Sequence, residues 1–192
     1  MERICEITRK TKETDIYLKL SLDGGEIKIS TGVGFFDHML TAFAVHSGFG
    51  LEVNVKGDLE VDCHHTVEDT GIALGQAFAK AIGDKRGIKR FGSSYVPMDE
   101  ALAFCALDIS GRAFLVFDAD FKYQSCGDYD TAMTEEFMRA VASNAMITLH
   151  LKCEYGSNDH HITEGLYKAF ARALREAVKI EGDKILSSKG TL

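Results

Sequence analysis

Residues 64–68 read HHTVE, and 96 residues further along the chain residues 160–164 read HHITE. Each motif is followed by a similar apolar, alanine-rich segment, AFAKA at 77–81 and AFARA at 169–173. Two copies of one motif, each followed by similar residues, indicate an internal duplication. The repeat therefore predicts two similar structural units within the chain.

The predicted secondary structure has the same order on both sides of this repeat. Apolar spacing in the first half predicts strand, strand, helix, strand and helix at residues 15–22, 27–29, 36–47, 51–55 and 65–82. The second half gives the same order at 101–107, 113–117, 135–144, 147–151 and 160–179. The first two strands are predicted to form a hairpin through the Asp23-Gly24-Gly25 turn.

The fold class predicted from this order is α+β. Two fused β-β-α-β-α repeats, one at residues 1–92 and the other at 93–192, each form a small sheet covered by helices. A pseudo-twofold axis relates the repeats, and together they make one functional unit. The second repeat also carries the C-terminal tail.

Composition limits the location and partners of the chain. Of its 192 residues 45% are hydrophobic, which excludes intrinsic disorder, and a net charge of −7 argues against nucleic acid or an anionic membrane as partner. No apolar run is long enough to span a membrane, and the first residues lack a signal-peptide pattern. Five cysteines without a CxxC pair exclude a disulfide framework and a zinc ribbon. We therefore expect a reducing, cytoplasmic location.

The spacing within each HHxxE motif suits metal binding. Helical residues four apart share a face, whereas adjacent residues point about 100° apart. The first histidine and the glutamate can therefore hold one ion while the second histidine points elsewhere. Imidazole and carboxylate ligands without thiolate suit Mn, Fe or Zn. The alternative, a helix cap with solvated histidines, would require the same coincidence twice.

Each ion needs further ligands, and His38 lies 26 residues before His64. The counterpart of His38 in the second half should lie near residues 134–136, which read TEE. If Glu136 takes the place of a histidine there, the two halves supply two similar ligand sets related by the repeat. The first set is His38, His65, His160 and Glu164, and the second is His64, Glu68, Glu136 and His161. The alternative for His38 taken alone is a buried, hydrogen-bonded core histidine. His46 and His150 have no repeat partner and are interpreted as packing residues or as residues that support the ligands from behind.

Segments spread over nearly the whole chain resemble the imidazoleglycerol-phosphate dehydratase family of histidine biosynthesis. In chain order they are TKET at 11–14, FDHML at 36–40, DCHHTVED at 62–69, DISGR at 108–112, NDHHITE at 158–164 and SSKG at 187–190. The length fits the monofunctional form of the family. The resemblance implies a ribosomal protein S5 domain 2-like fold, in agreement with the predicted repeats.

The resemblance also implies an activity, that of a hydro-lyase (EC 4.2.1.19). Members of the family convert D-erythro-imidazole glycerol phosphate to imidazole acetol phosphate. The departing hydrogen is not next to a carbonyl, so the imidazole ring must accept electrons, through an imidazolate-like ring and a diazafulvene intermediate. Two Mn²⁺ per site, held by the two ligand sets, would support this chemistry. Many members carry histidine where this chain has Glu136, which makes that site more negative here.

Further roles follow from the resemblance alone. Glu13 is the candidate acid–base group, and Glu164 combines metal ligation with proton transfer. The substrate contacts are Glu13, Arg90, Arg112, Ser187, Ser188 and Lys189, with the arginine forks suited to phosphate. Without the family, each of these would be interpreted as a solvated surface residue. The implied partners are the phosphorylated imidazole and other copies of the chain, in a 24-mer with sites at subunit interfaces.

Two other functions fit the same motifs. A dinuclear metallohydrolase of a phosphate ester would use similar ligands to activate water. A non-enzymatic metal-binding assembly protein would need the ligands but no acid–base group. The products of an assay distinguish these alternatives from a dehydratase.

Overall fold

The computed structural model describes residues 2–190 and 192. The first half comprises β1 (Ile4–Lys10), β2 (Thr14–Ser21), β3 (Ile27–Ser30), α1 (Gly34–Ser47), β4 (Gly50–Gly57) and α2 (His64–Ala81). The second half comprises β5 (Phe91–Met98), β6 (Ala101–Asp108), β7 (Phe114–Asp118), β8 (Ser125–Cys126), β9 (Tyr129–Asp130), α3 (Met133–Ala145), β10 (Thr148–Tyr155) and α4 (Asp159–Ala177). No helix in the described part of the chain is long and apolar enough to cross a lipid bilayer.

Both large sheets share one topology. The strand order is β1-β2-β4-β3 in the first sheet and β5-β6-β10-β7 in the second. In the first sheet β4 pairs antiparallel with β2 and parallel with β3, and in the second sheet β10 pairs antiparallel with β6 and parallel with β7. The matching orders confirm the predicted α+β class and its duplicated units, and the structure adds β1 and β5 at the start of the two halves.

The predicted hairpin between β2 and β3 is wrong. These strands do not pair with each other, because β4 lies between them, with Val53 opposite Leu18 on one side and opposite Ile29 on the other. Leu51, Val53 and Val55 are all buried on the inner face of β4. A strand this apolar is best placed at the centre of the sheet, where both of its edges are hydrogen-bonded.

The helices of the two halves pack against one another between the sheets. α2 packs on β1 and β2, and α4 packs on β5 and β6. Across the repeat boundary α2 contacts α3, and α1 contacts α4. Apolar side chains from both halves, such as Leu18, Phe43, Phe137 and Phe170, form one continuous core. This exchange of contacts brings the helix that carries His38 against the helix that carries the second HHxxE motif.

The outer faces of the two sheets differ in character. On the first sheet Lys19 lies between Glu6 and Glu52, with its Nζ 3.2 Å from Glu52 Oε1. The second sheet exposes large apolar side chains, among them Phe91 (50% exposed), Tyr95 (59%) and Phe114 (61%). An apolar face of this kind favours contact with another protein surface.

α2 and α3 approach closely at Gly71 and Gly75 of α2. A Cβ at Gly75 would lie 2.7 Å from the backbone oxygen of Val141 and 2.7 Å from Asn144 Cβ. We expect Gly75→Ala to lower the free energy of unfolding by about 1–3 kcal/mol, because the two helices must move apart. Denaturant unfolding measures this change. The control is Gly182→Ala, at a position with no atom within 4 Å of an added Cβ. Equal stability of the two variants would contradict close packing.

Candidate metal centre and active site

A compact group of potential metal ligands lies where α1 meets α4. His38, His160 and Glu164 each place one ligand atom within 4.8 Å of the others. Glu164 Oε2 lies 3.2 Å from His160 Nε2 and 3.4 Å from His38 Nε2. Two imidazoles and one carboxylate are a donor set that fits Mn²⁺. The three residues therefore form a candidate metal centre shared between the two halves of the chain.

Both helices are fixed close to this centre. The Asp128 carboxylate accepts hydrogen bonds from the backbone N–H groups of Gly34 (2.9 Å) and Phe35 (3.3 Å), at the start of α1. The Asn158 side chain caps α4 by accepting from the His160 N–H at 3.0 Å. The Phe35 ring packs edge-on against the His160 imidazole, with centroids 4.9 Å apart. The first turn of each helix therefore has little freedom to move.

Glu164 is held as a charged carboxylate although it is buried. Burial alone would raise its pKa, but Lys168, with Nζ 2.6 Å from Glu164 Oε1, and His38 outweigh that effect and lower the pKa. One oxygen thus faces the histidines while the other binds the ammonium group. Sequence reasoning missed Lys168, and its signal is the four-residue spacing that places it on the face of α4 shared with Glu164.

The other predicted ligand set is only partly assembled within one chain. His64 Nε2 lies 3.4 Å from Glu68 Oε2, as the helical spacing predicted. Glu136 lies on α3, with Oε2 3.9 Å from Arg139 Nε. Among the described residues no third ligand joins the His64–Glu68 pair, and His65 does not join the centre formed by the first set.

The second histidine of each motif has a carboxylate partner at the same ring nitrogen. His65 Nδ1 lies 3.0 Å from Asp58 Oδ2, and His161 Nδ1 lies 2.7 Å from Glu100 Oε2. These hydrogen bonds raise the pKa of each histidine, and the bond to His161 helps to lower the pKa of Glu100 to about 2. Neither acidic residue was found from the sequence, because neither lies in its partner's motif.

Glu13 lies in the turn between β1 and β2, beside His65. Its Oε1 is 3.9 Å from His65 Nε2, and its side chain is 52% exposed. The turn is fixed at both ends, because the Glu13 N–H donates to Thr11 Oγ1 (3.1 Å) and the Glu13 carbonyl accepts from the Asp58 N–H (3.1 Å). The structure thus brings the predicted acid–base residue next to a predicted metal ligand.

Both arginines predicted to bind substrate lie beside the C-terminal segment. Arg90, with a left-handed φ of 74°, binds Asp108 through Nε (2.7 Å) and Nη2 (3.0 Å). Its Nη1 donates to the Leu186 carbonyl, directly before Ser187, at 2.6 Å. Arg112 is exposed and follows a turn against which the terminal Leu192 lies. Ser188 and Lys189 are exposed, and Ser187 is half-buried.

Comparison with known proteins identifies the family. A family model described as imidazoleglycerol-phosphate dehydratase matches residues 31–174. The chain belongs to the imidazoleglycerol-phosphate dehydratase family. The Acetivibrio thermocellus imidazoleglycerol-phosphate dehydratase is 58% identical over 197 aligned residues, which cover 100% of both chains. The one from an Exiguobacterium species is 59% identical over 190, covering 98% of this chain and 97% of its own.

Solved structures of dehydratases from this family share the fold. The Staphylococcus aureus crystal structure has a TM-score of 0.85 at 42% identity, covering 92% of this chain and 99% of its own. The Pyrococcus furiosus structure has a TM-score of 0.85 at 36% identity, covering 97% and 100%. Imidazoleglycerol-phosphate dehydratases are metal-dependent hydro-lyases, so the predicted carbon–oxygen lyase is confirmed. The non-enzymatic alternative is wrong.

Proposed function

We propose that the chain dehydrates D-erythro-imidazole glycerol phosphate to imidazole acetol phosphate in L-histidine biosynthesis. The observation that supports this most directly is the convergence of His38, His160 and Glu164 in a dehydratase of this family. The substrate offers an imidazole ring and a phosphate. The site must therefore hold an azole, bind an anion and move protons.

We propose that two Mn²⁺ ions per active site are the cofactors. The two imidazoles and the Glu164 carboxylate fit this ion, and the His64–Glu68 pair offers the same donor types for a second one. Glu136 adds a further carboxylate on α3. When bound, the ions supply Lewis acidity that polarises the imidazole ring of the substrate.

We propose that other copies of the chain complete these ligand sets. His65 and His161 lie outside the ligand centre of their own chain, and both are partly exposed, which leaves them accessible to a second copy. The apolar outer face of the second sheet provides a surface for such association. The family resemblance gives the assembly size, a homo-oligomer of 24 chains with sites at subunit interfaces.

Glu13 is the proposed proton shuttle. Its exposed carboxylate lies 3.9 Å from His65 Nε2, so it can reach a substrate bound at that histidine and give or take a proton there. Glu164 is the second candidate, but one of its oxygens is bound by Lys168 and the other faces two histidines. Glu164 is therefore committed to ligation first and to proton transfer second.

The substrate phosphate is proposed to bind Arg90, Arg112 and the C-terminal residues Ser187, Ser188 and Lys189. Asp108 holds the Arg90 guanidinium through two hydrogen bonds, which fixes its direction. The left-handed backbone of Arg90 is a strained conformation of the kind that clusters at ligand sites. The turn that precedes Arg112 lies against Leu192, which brings the end of the described chain close to this arginine.

A reducing, cytoplasmic location is part of the proposal. All five cysteines are free. Burial strongly raises the pKa of the Cys105 thiol, which argues against a role for it as a nucleophile.

The products of the reaction test the proposed function. With Mn²⁺ and imidazole glycerol phosphate, the purified protein should form an enolisable ketone that retains its phosphate. Absorbance of the ketone in alkali and an assay for inorganic phosphate measure the two outcomes. Released phosphate would identify a phosphate-ester hydrolase instead, and the absence of any product would contradict a dehydratase.

A further inference from the structure

We infer that Asp58 and Glu100 are positioning residues, which hold the ring proton of His65 and His161 on Nδ1 and so leave each Nε2 free to bind a metal ion. The inference rests on the proposed role of both histidines as ligands. It assigns a function to two carboxylates that lie outside the ligand sets.

The hydrogen-bond chemistry of these contacts fixes the tautomer. Both Asp58 oxygens lie close to His65 Nδ1, at 3.1 and 3.0 Å, and Glu100 Oε2 lies 2.7 Å from His161 Nδ1. An ionised carboxylate only accepts hydrogen bonds, so Nδ1 must donate. A neutral imidazole carries one N–H, and its other nitrogen then holds a free lone pair. Carboxylates that bind the remote nitrogen of a metal-binding histidine orient the ring in this way.

The backbone of Asp58 and the carboxylate of Glu100 are themselves held in place. The Asp58 N–H donates to the Glu13 carbonyl at 3.1 Å, which ties the loop after β4 to the turn between β1 and β2. Glu100 Oε1 accepts from the N–H groups of Ser157 (3.0 Å) and Asn158 (2.7 Å), directly before α4. The orientation of each imidazole is therefore supported by backbone contacts beyond the carboxylate.

The two halves reach the same arrangement from different positions in the repeat. Asp58 follows β4, whereas Glu100 directly precedes β6. The counterpart of Glu100 in the first half is Glu13, which directly precedes β2 and lies on the Nε2 side of His65. The carboxylate at Nδ1 was therefore not simply copied by the duplication. Its presence in both halves points to a shared requirement of the two histidines.

Isosteric amide variants test this inference. In Asp58→Asn and Glu100→Gln the new NH₂ group can donate to Nδ1 and move the ring proton to Nε2, where it blocks the ligand. We expect Mn²⁺ affinity to fall about 10–100-fold, as for other partners of metal-binding histidines. Titration of the whole protein with Mn²⁺, followed by the electron paramagnetic resonance signal of the free ion, measures this without any assay of activity.

Control variants separate the possible outcomes. Asp15→Asn, on the exposed face of the first sheet, should bind Mn²⁺ as the unmodified chain does. Asp58→Glu retains a carboxylate and should recover part of the affinity lost in Asp58→Asn. If Glu100→Gln does not fold, the Asp58 variants and the His65→Ala variant suffice as the test.

The His65→Ala variant distinguishes failure of the inference from failure of the proposed ligand role on which the inference rests. Unchanged affinity in Asp58→Asn, with reduced affinity in His65→Ala, would overturn the inference and leave His65 a ligand. Unchanged affinity in both would overturn the assignment of His65 as a ligand, and the inference with it.

Discussion

Glu13→Gln is expected to lower kcat about 10²–10⁴-fold, the range typical of a lost acid–base group. The amide keeps the shape of the carboxylate but cannot exchange a proton with the substrate. Mn²⁺ binding should persist, because Glu13 is not part of the ligand centre of α1 and α4. Steady-state kinetics, combined with a metal titration of the same sample, measures both quantities.

A matched control for this variant is Glu60→Gln, which neutralises another exposed carboxylate. It should leave kcat unchanged. Full activity in Glu13→Gln would remove Glu13 from the proton path. Loss of metal together with activity would instead make Glu13 a ligand and not a shuttle.

Removal of metal by a chelator is expected to abolish activity and to dissociate the large assembly. If ligands from different chains meet at each ion, metal binding and association stabilise each other. Light scattering before and after chelation measures the size of the particle, and added Mn²⁺ should restore both size and turnover. A particle of constant size, with and without metal, would argue against sites at subunit interfaces.

Helices and central strands were predictable because their burial follows local periodicity. α2 was predicted at 65–82 and runs from His64 to Ala81, and β4 was predicted at 51–55 inside its observed range. The pairing of strands was harder to predict, because the residues near the turn do not show that β4 inserts between β2 and β3. A hairpin turn in the sequence therefore led to the wrong partner strand.

Four strands were not predicted from the sequence, the two-residue strands β8 and β9 and the longer β1 and β5, and the longer two do not follow the usual pattern. β1 turns Arg9 inward, where it forms an ion pair with the buried Asp69 of α2, so its inner row is not uniformly apolar. β5 places Phe91 and Tyr95 on its outer face and Gly92 against α4. An added Cβ at Gly92 would lie 1.9 Å from the Ala173 carbonyl oxygen, so only glycine fits there. In both strands distant contacts determine the pattern.

The candidate site was predictable where its residues share a motif or a repeat position. The HHxxE spacing identified His160 and Glu164, and the need for a further ligand pointed to His38, which the structure places beside them. Asp58, Glu100 and Lys168 were missed, the first two because they come from loops that reach their histidines only in the folded chain. The proposed completion of each ligand set by another copy depends on contacts between chains, which local motifs do not encode.

The unlike outer faces of the two sheets also bear on how the enzyme can be labelled. Thr8 and Asn54 project to solvent from the middle of β1 and β4, on the face opposite the helices. A dye or a tether to a solid support at either residue would lie beside Tyr17, the cross-strand neighbour of both. The apolar outer face of the second sheet would not be modified by a label attached at these positions.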